Sequence, residues 1–195
     1  MLDIIRNHQE RVALQPIDHH HIEAMTSHLG SAEVLDRMLF KPQPFSIGDA
    51  QSFVLRAKTA NPLDMRVNAI INKETDEFLG LISISVKDNH IIPSFGYWIG
   101  EKHWSQGFAT EAVGVLIRDI LPDFRFAMLR AGCELDNIAS QRVLEKNGFR
   151  PQETAPLSFD NGRETIVRWY QLNLEPYHGF APIHENQLET GAIYA

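Results

Sequence analysis

The chain has one cysteine, Cys133, in 195 residues, so no internal disulfide can form and a reducing compartment is expected. No apolar run approaches the roughly 18 residues needed to span a bilayer. The start, Met1-Leu2-Asp3-Ile4-Ile5-Arg6, lacks the apolar core of a signal peptide, and the expected location is the cytoplasm, with no membrane partner. Positive charge is also short: 18 Lys and Arg face 25 Asp and Glu, a formal net charge of -7. That balance argues against a broad nucleic-acid surface and mildly favours cationic substrates. The histidines show no ligand spacing. His19-His20-His21 are consecutive, and on a helix they point about 100° apart, so they cannot converge on one ion; a solvated helix start is expected and no metal site is assigned. There is no Gly-Lys-Ser/Thr phosphate motif, and no Gly-x-Gly-x-x-Gly follows an early strand.

What is present is centred on Trp104-Ser105-Gln106-Gly107-Phe108-Ala109-Thr110-Glu111-Ala112. It follows Phe95 to Gly100, which reads as a strand, and opens a segment in which Phe108, Ala112, Val115, Leu116 and Ile120 recur at helical spacing. Ser105, Gly107 and Ala109 are small and leave the unpaired N–H groups of the helix start open. With the positive end of the helix dipole, such a place suits a phosphate.

The order of elements is consistent with one α/β (α+β) domain, large enough to bury roughly 70% of its unfolded surface. Arg11 to Pro16 reads as a strand and Ile17 to Leu29 as a helix ended by Gly30; Lys41 to Pro44 is a break; Ser46 caps a helix through about Lys58. Arg66 to Asn72, Phe78 to Val86 and, after a turn at Asp88-Asn89, Ile91 to Ile99 form a meander. Gly96 within the last strand marks a bulge or a close backbone approach. Phe126 to Glu134 is a strand, Asn137 to Lys146 a helix ended by Asn147-Gly148, and Gln152 to Phe159 and Glu164 to Leu172 a hairpin turning at Asp160-Asn161-Gly162. The expected domain is 1–174, with 175–195 an appended arm or partly disordered tail.

Gly107-x-Ala109 followed by Thr110-Glu111-Ala112 resembles the phosphate loop of the GNAT acyltransferases. Asn137-x-x-Ser140 with Val143-Leu144-Glu145-Lys146-x-Gly148-Phe149 is similar to the second motif of their RimJ/RimL branch. Trp104 stands where the general loop has Gln or Arg, so backbone N–H groups must carry the binding. The resemblance implies the GNAT fold, with a mixed, mostly antiparallel sheet of about seven strands, about four flanking helices and a splay between two strands that takes acetyl-CoA. It implies acetyl-CoA as cosubstrate, held by Trp98, Ile99, Ser105, Gln106, Gly107, Phe108, Ala109, Thr110, Asn137 and Ser140. The implied reaction is direct acetyl transfer to a primary amine, with a protein N-terminus and a small amine both open as acceptor; a homodimer is also left open.

Ser140 and Asn137 are the candidate catalytic residues, Ser140 donating to the departing thiolate and Asn137 holding the pantetheine amide or substrate; capping alone would also explain Asn137. By the same resemblance Ser94 stands where many relatives place an acidic general base and cannot do that work directly, leaving Glu101, His103, Glu153 or a water chain to solvent as substitutes, and Leu144 stands where the thiolate-protonating tyrosine would fall. Cys133, in an apolar strand, is expected to be packed rather than nucleophilic. Trp98, Trp104 and Tyr97 are expected at the core or rim, with Trp104 placed to stack on the cofactor. Two other classes stay in view: a non-catalytic acyl-CoA-binding module, distinguished by binding without turnover, and a nucleotide-binding protein, distinguished by preference for ATP.

Overall fold

The computed structural model describes residues 10–38, 44–86, 93–124, 126–158 and 164–174. Seven strands form one mixed sheet in the order β1-β2-β3-β4-β5-β7-β6: β1 Val12–Pro16, β2 Met65–Asn72, β3 Phe78–Ser85, β4 Ser94–Ile99, β5 Met128–Glu134, β6 Arg150–Ser158 and β7 Glu164–Asn173. Neighbours are antiparallel except β4 and β5. The turns expected at 88–89 and 160–162, most of the break at 41–44 and the tail from 175 lie outside the described residues.

Alternation along the strands produces a main core on each face of the sheet, with a smaller cluster of Leu157, Val167 and Trp169 on β6 and β7. On one face Ile70, Ile82, Phe95, Leu129 and Tyr170 pack with Val113 and Leu144 from two helices, α4 Phe108–Val115 and α5 Ile138–Lys146, and with Leu116 just beyond α4. On the other, Val67, Ala69, Phe78 and Leu81 pack with Met25, Val34 and Val54 from α1 Ile22–Leu29, α2 Ala32–Arg37 and α3 Ile47–Thr59. Among the described residues five α-helices flank the sheet, one more than the approximate four expected. The additional one, α2, has six residues and begins at the Ser31 cap directly after the Gly30 stop, too short for a periodic signal.

The helix expected from Ile17 starts later. Asp18 caps a short 3-10 turn over His19–His21, and α1 begins only at Ile22. His19 and His20 are exposed, but His21 is buried and its Nδ1 accepts the Asp18 N–H at 3.0 Å, so the solvated reading fails for that residue. Ser46 and Asp49 form a capping box at the start of α3, as the sequence requires. Gly96 sits opposite Ser83 in an unbroken ladder, so it makes no bulge; the register shift lies between Ile70 and Ile71 on β2. Beyond Val115 the helix widens into a π turn over Leu116–Ile120, and a 3-10 turn at Leu121–Asp123 ends it.

Candidate active site

The sheet opens between its two parallel strands. Among the described residues, Ser94 with Arg130 is the only β4–β5 pairing, supported by the Arg130 N–H donating to the Pro93 carbonyl at 3.1 Å. From there β4 follows β3 as far as Ile99, while β5 follows β7. The Gly100 N–H donates to the Leu79 carbonyl at 2.8 Å, and the alternation of an antiparallel ladder then turns the backbone groups of Trp98 toward β3 and those of Tyr97 and Ile99 toward the opening. Of the two strand residues named from the sequence, Ile99 thus lines the gap with its N–H, whereas Trp98 lies on the helix α1–α3 side with its ring. The Ile99 carbonyl accepts the Trp104 indole N–H at 2.7 Å. That bond pins the indole at the rim, where it remains 38% exposed.

The loop beyond β4 is built on two residues with positive φ, Ser105 at 59° and Gly107 at 87°. The second is the N-cap of α4 and makes no side-chain cap, so the first-turn N–H groups are left for another acceptor. Glycine suits that left-handed position because it has no Cβ to strain. The side chain of Gln106 folds back, its amide nitrogen donating to the Lys102 carbonyl at 3.0 Å, and Phe108 is buried, so it can meet a ligand only through backbone. Thr110 is tied to α5 through its carbonyl, which accepts from the Asn147 side chain at 3.2 Å.

Across the opening, the start of α5 faces β4. Asn137 caps that helix, its side-chain oxygen accepting the Ser140 N–H at 3.2 Å. Ser140 is 6% exposed, and its Oγ lies 3.0 Å from the Tyr97 hydroxyl. Tyr97, expected from the sequence only as a core or rim aromatic, is thereby a functional candidate. Leu144 is a fully buried core residue, and the hydroxyl absent there reaches the same helix from β4 instead. Burial raises the Tyr97 phenol above its ordinary value, which keeps the proton on it. Burial also pushes the Cys133 thiol up to about 12, with Arg168 and Ser140 partly opposing. A thiol at that value is a poor nucleophile.

The three substitute bases stand apart. Glu101 accepts from the Ser31 hydroxyl at 2.7 Å on the exposed lip. His103 is enclosed by His28 and Phe108, with ring centroids 5.5 and 6.3 Å away, and burial lowers its pKa. Glu153 is set in the irregular stretch of β6 between Pro151 and Thr154 and accepts from Arg130 at 2.5 Å. Burial raises its pKa, but its own backbone N–H and the guanidinium outweigh that and lower it overall. Ser94 is buried with its hydroxyl 3.5 Å from the Ser85 carbonyl. Arg130, which holds Glu153, is the β5 residue paired with Ser94, while Glu153 itself lies on β6, beyond β7.

The sequence profile of the Acetyltransferase (GNAT) domain matches residues 11–150, a span that contains both the loop and the α5 motif. The chain belongs to the GNAT acetyltransferase family. This GNAT chain is 25% identical over 170 residues to the uncharacterized N-acetyltransferase p20 of Bacillus licheniformis, covering 85% of this chain and 93% of that one. It is 31% identical over 75 residues to the ribosomal-protein-serine acetyltransferase of Escherichia coli, covering 38% and 42% of the two chains. The fold is shared with the spermidine N-acetyltransferase of Vibrio cholerae, solved in complex with CoA and spermine, at a TM-score of 0.73 with 14% identity, covering 88% of this chain and 100% of that one. The RimJ/RimL likeness and the GNAT fold expected from the motifs are therefore met.

Proposed function

We propose that the chain is an acetyl-CoA-dependent N-acetyltransferase that transfers the acetyl group directly to a primary amine. The observation that carries this is the opening between β4 and β5, which has an uncapped helix start at one end and a paired Tyr97–Ser140 hydroxyl couple across it. The pyrophosphate fits the N–H groups at the start of α4, which the left-handed N-cap Gly107 leaves without a side-chain cap. The pantetheine arm fits between the strands, pairing as an added strand would.

In the reaction the amine nitrogen attacks the thioester carbonyl carbon, and the developing oxyanion accepts from a β4 N–H such as that of Ile99. The amine nitrogen gives up its proton to water, the C–S bond breaks, and the departing thiolate takes a proton from Ser140, which Tyr97 and then water restore, so that both hydroxyls end the cycle protonated. Products are the acetamide and free CoA, with no covalent enzyme intermediate, in keeping with the buried, protonated Cys133. An α-amine with a pKa of about 8 is already partly neutral at pH 7, so such an acceptor demands little of a base. A protein N-terminus, in line with the ribosomal-protein acceptor for which the Escherichia coli relative is named, and a small amine, in line with the spermidine enzyme, are both consistent with the site.

The test is CoA release with a panel of peptide N-termini and small amines. Turnover with any of them supports the enzyme. Acetyl-CoA binding without turnover over the whole panel points instead to an acyl-CoA-binding module, and preference for ATP over CoA to a nucleotide-binding protein.

A further inference from the structure

We propose that Arg11 is the positioning residue of the acyl-donor site, clasping the phosphate loop to the first turn of α4. This inference rests on the acetyl-CoA reading above. Arg11 lies just ahead of β1, far in sequence from the loop, yet one side chain reaches around it. Its Nε donates to Glu111 Oε1 at 2.8 Å and its Nη2 reaches the same oxygen, while its backbone N–H donates to Glu111 Oε2 at 3.2 Å. Nη2 also donates to the Gln106 carbonyl at 2.8 Å. The guanidinium lies 4.6 Å from the Phe108 ring centroid, and Nη2 is 3.4 Å from where a Cβ on Gly107 would sit. Glu10 adds a second tie from the same segment to the helix, accepting from Arg118.

Three consequences follow from this geometry. A peptide unit is planar and trans, so holding the Gln106 carbonyl toward Arg11 turns the Gly107 N–H to the opposite side, away from the arginine. The loop has two positive-φ residues and no side-chain cap, so an external grip is what keeps it in place when no ligand is bound. Glu111 favours the helix dipole but would repel a pyrophosphate, and the forked guanidinium offsets that charge where a lysine ammonium would act only as a point charge. Trp104 brings no cation to the loop, and Arg11 brings one from the segment just ahead of β1.

The experiment uses the full chain with Arg11→Ala, Arg11→Lys and Glu111→Gln. It reads CoA affinity by calorimetry, KM for acetyl-CoA against kcat, and hydrogen exchange at the Gly107 to Ala109 amides without ligand. Arg11→Ala and Glu111→Gln are expected to weaken CoA binding about tenfold and raise KM in step, with kcat reduced by less than about twofold. Exchange at the loop should quicken, and Arg11→Lys should recover only part of the loss. If Arg11→Ala does not fold, Glu111→Gln carries the test, since it keeps the arginine and removes the anion it grips. CoA affinity within about twofold of the parent in the folded variants overturns the clasp alone. Absence of CoA binding by the parent chain overturns the acetyl-CoA reading and the clasp together.

Discussion

The Tyr97–Ser140 pair gives the site two linked hydroxyls, one of which burial keeps protonated. With its pKa raised, Tyr97 stays protonated through the neutral range and can replace the proton that Ser140 gives to a thiolate. Ser140→Ala is therefore expected to lower kcat by roughly 10²-fold with little change in affinity for acetyl-CoA, as removal of a general acid does. Tyr97→Phe should lower kcat by less, and the double variant should be no worse than Ser140→Ala, because the two act in series. Steady-state kinetics at saturating acetyl-CoA checks all three; equal losses in affinity and turnover would assign Ser140 to binding or folding. Half of this pair was legible in the sequence. Ser140 stands in a motif, but a tyrosine in an alternating strand carries no mark of what lies across a gap, so Tyr97 needed the tertiary structure.

The opening is a property of two elements that diverge. β4 stays paired with β3 up to Ile99 and β5 with β7 up to Glu134, which leaves the strands no shared ladder beyond Ser94. Helix α5 spans the gap because Leu144, wholly buried, anchors it in the core shared with Phe95 and Phe149. Leu144→Ala is expected to cost roughly 2–5 kcal/mol of stability, measurable by chemical denaturation, with turnover falling as the Ser140 end of the helix loosens. A loss under about 1 kcal/mol would show that the anchor lies elsewhere. Element order and the caps at Ser46 and Asn137 were legible because they rest on local chemistry. The splay, the late start of α1 and the π turn at Leu116–Ile120 were not, since each is decided by packing between distant segments.

For the molecule as a whole, two buried histidines set a pH dependence. Burial lowers the pKa of both His21 and His103 from the ordinary 6.5, so both are held neutral in the folded state. Below about 6.5 the unfolded chain binds more protons than the folded one, and stability must fall as pH drops. The midpoint of thermal unfolding is expected to decline from pH 7 to pH 5, with a shallower decline for His103→Gln. A flat profile over that range would contradict the burial of both rings. Further acidification removes the support of carboxylates whose values are lowered, among them Glu77 beside Lys102 and Asp119 beside Arg118.

The measurement closest to the central claim is thermal stabilisation by acetyl-CoA, CoA, ATP and NAD, compared between the parent chain and Gly107→Glu. A ligand at about 100 times its dissociation constant stabilises a native-only site by about 2.7 kcal/mol. The account predicts a rise with acetyl-CoA and CoA alone, abolished by the carboxylate placed at the start of α4. No rise with either CoA ligand, or an equal rise in Gly107→Glu, would contradict it.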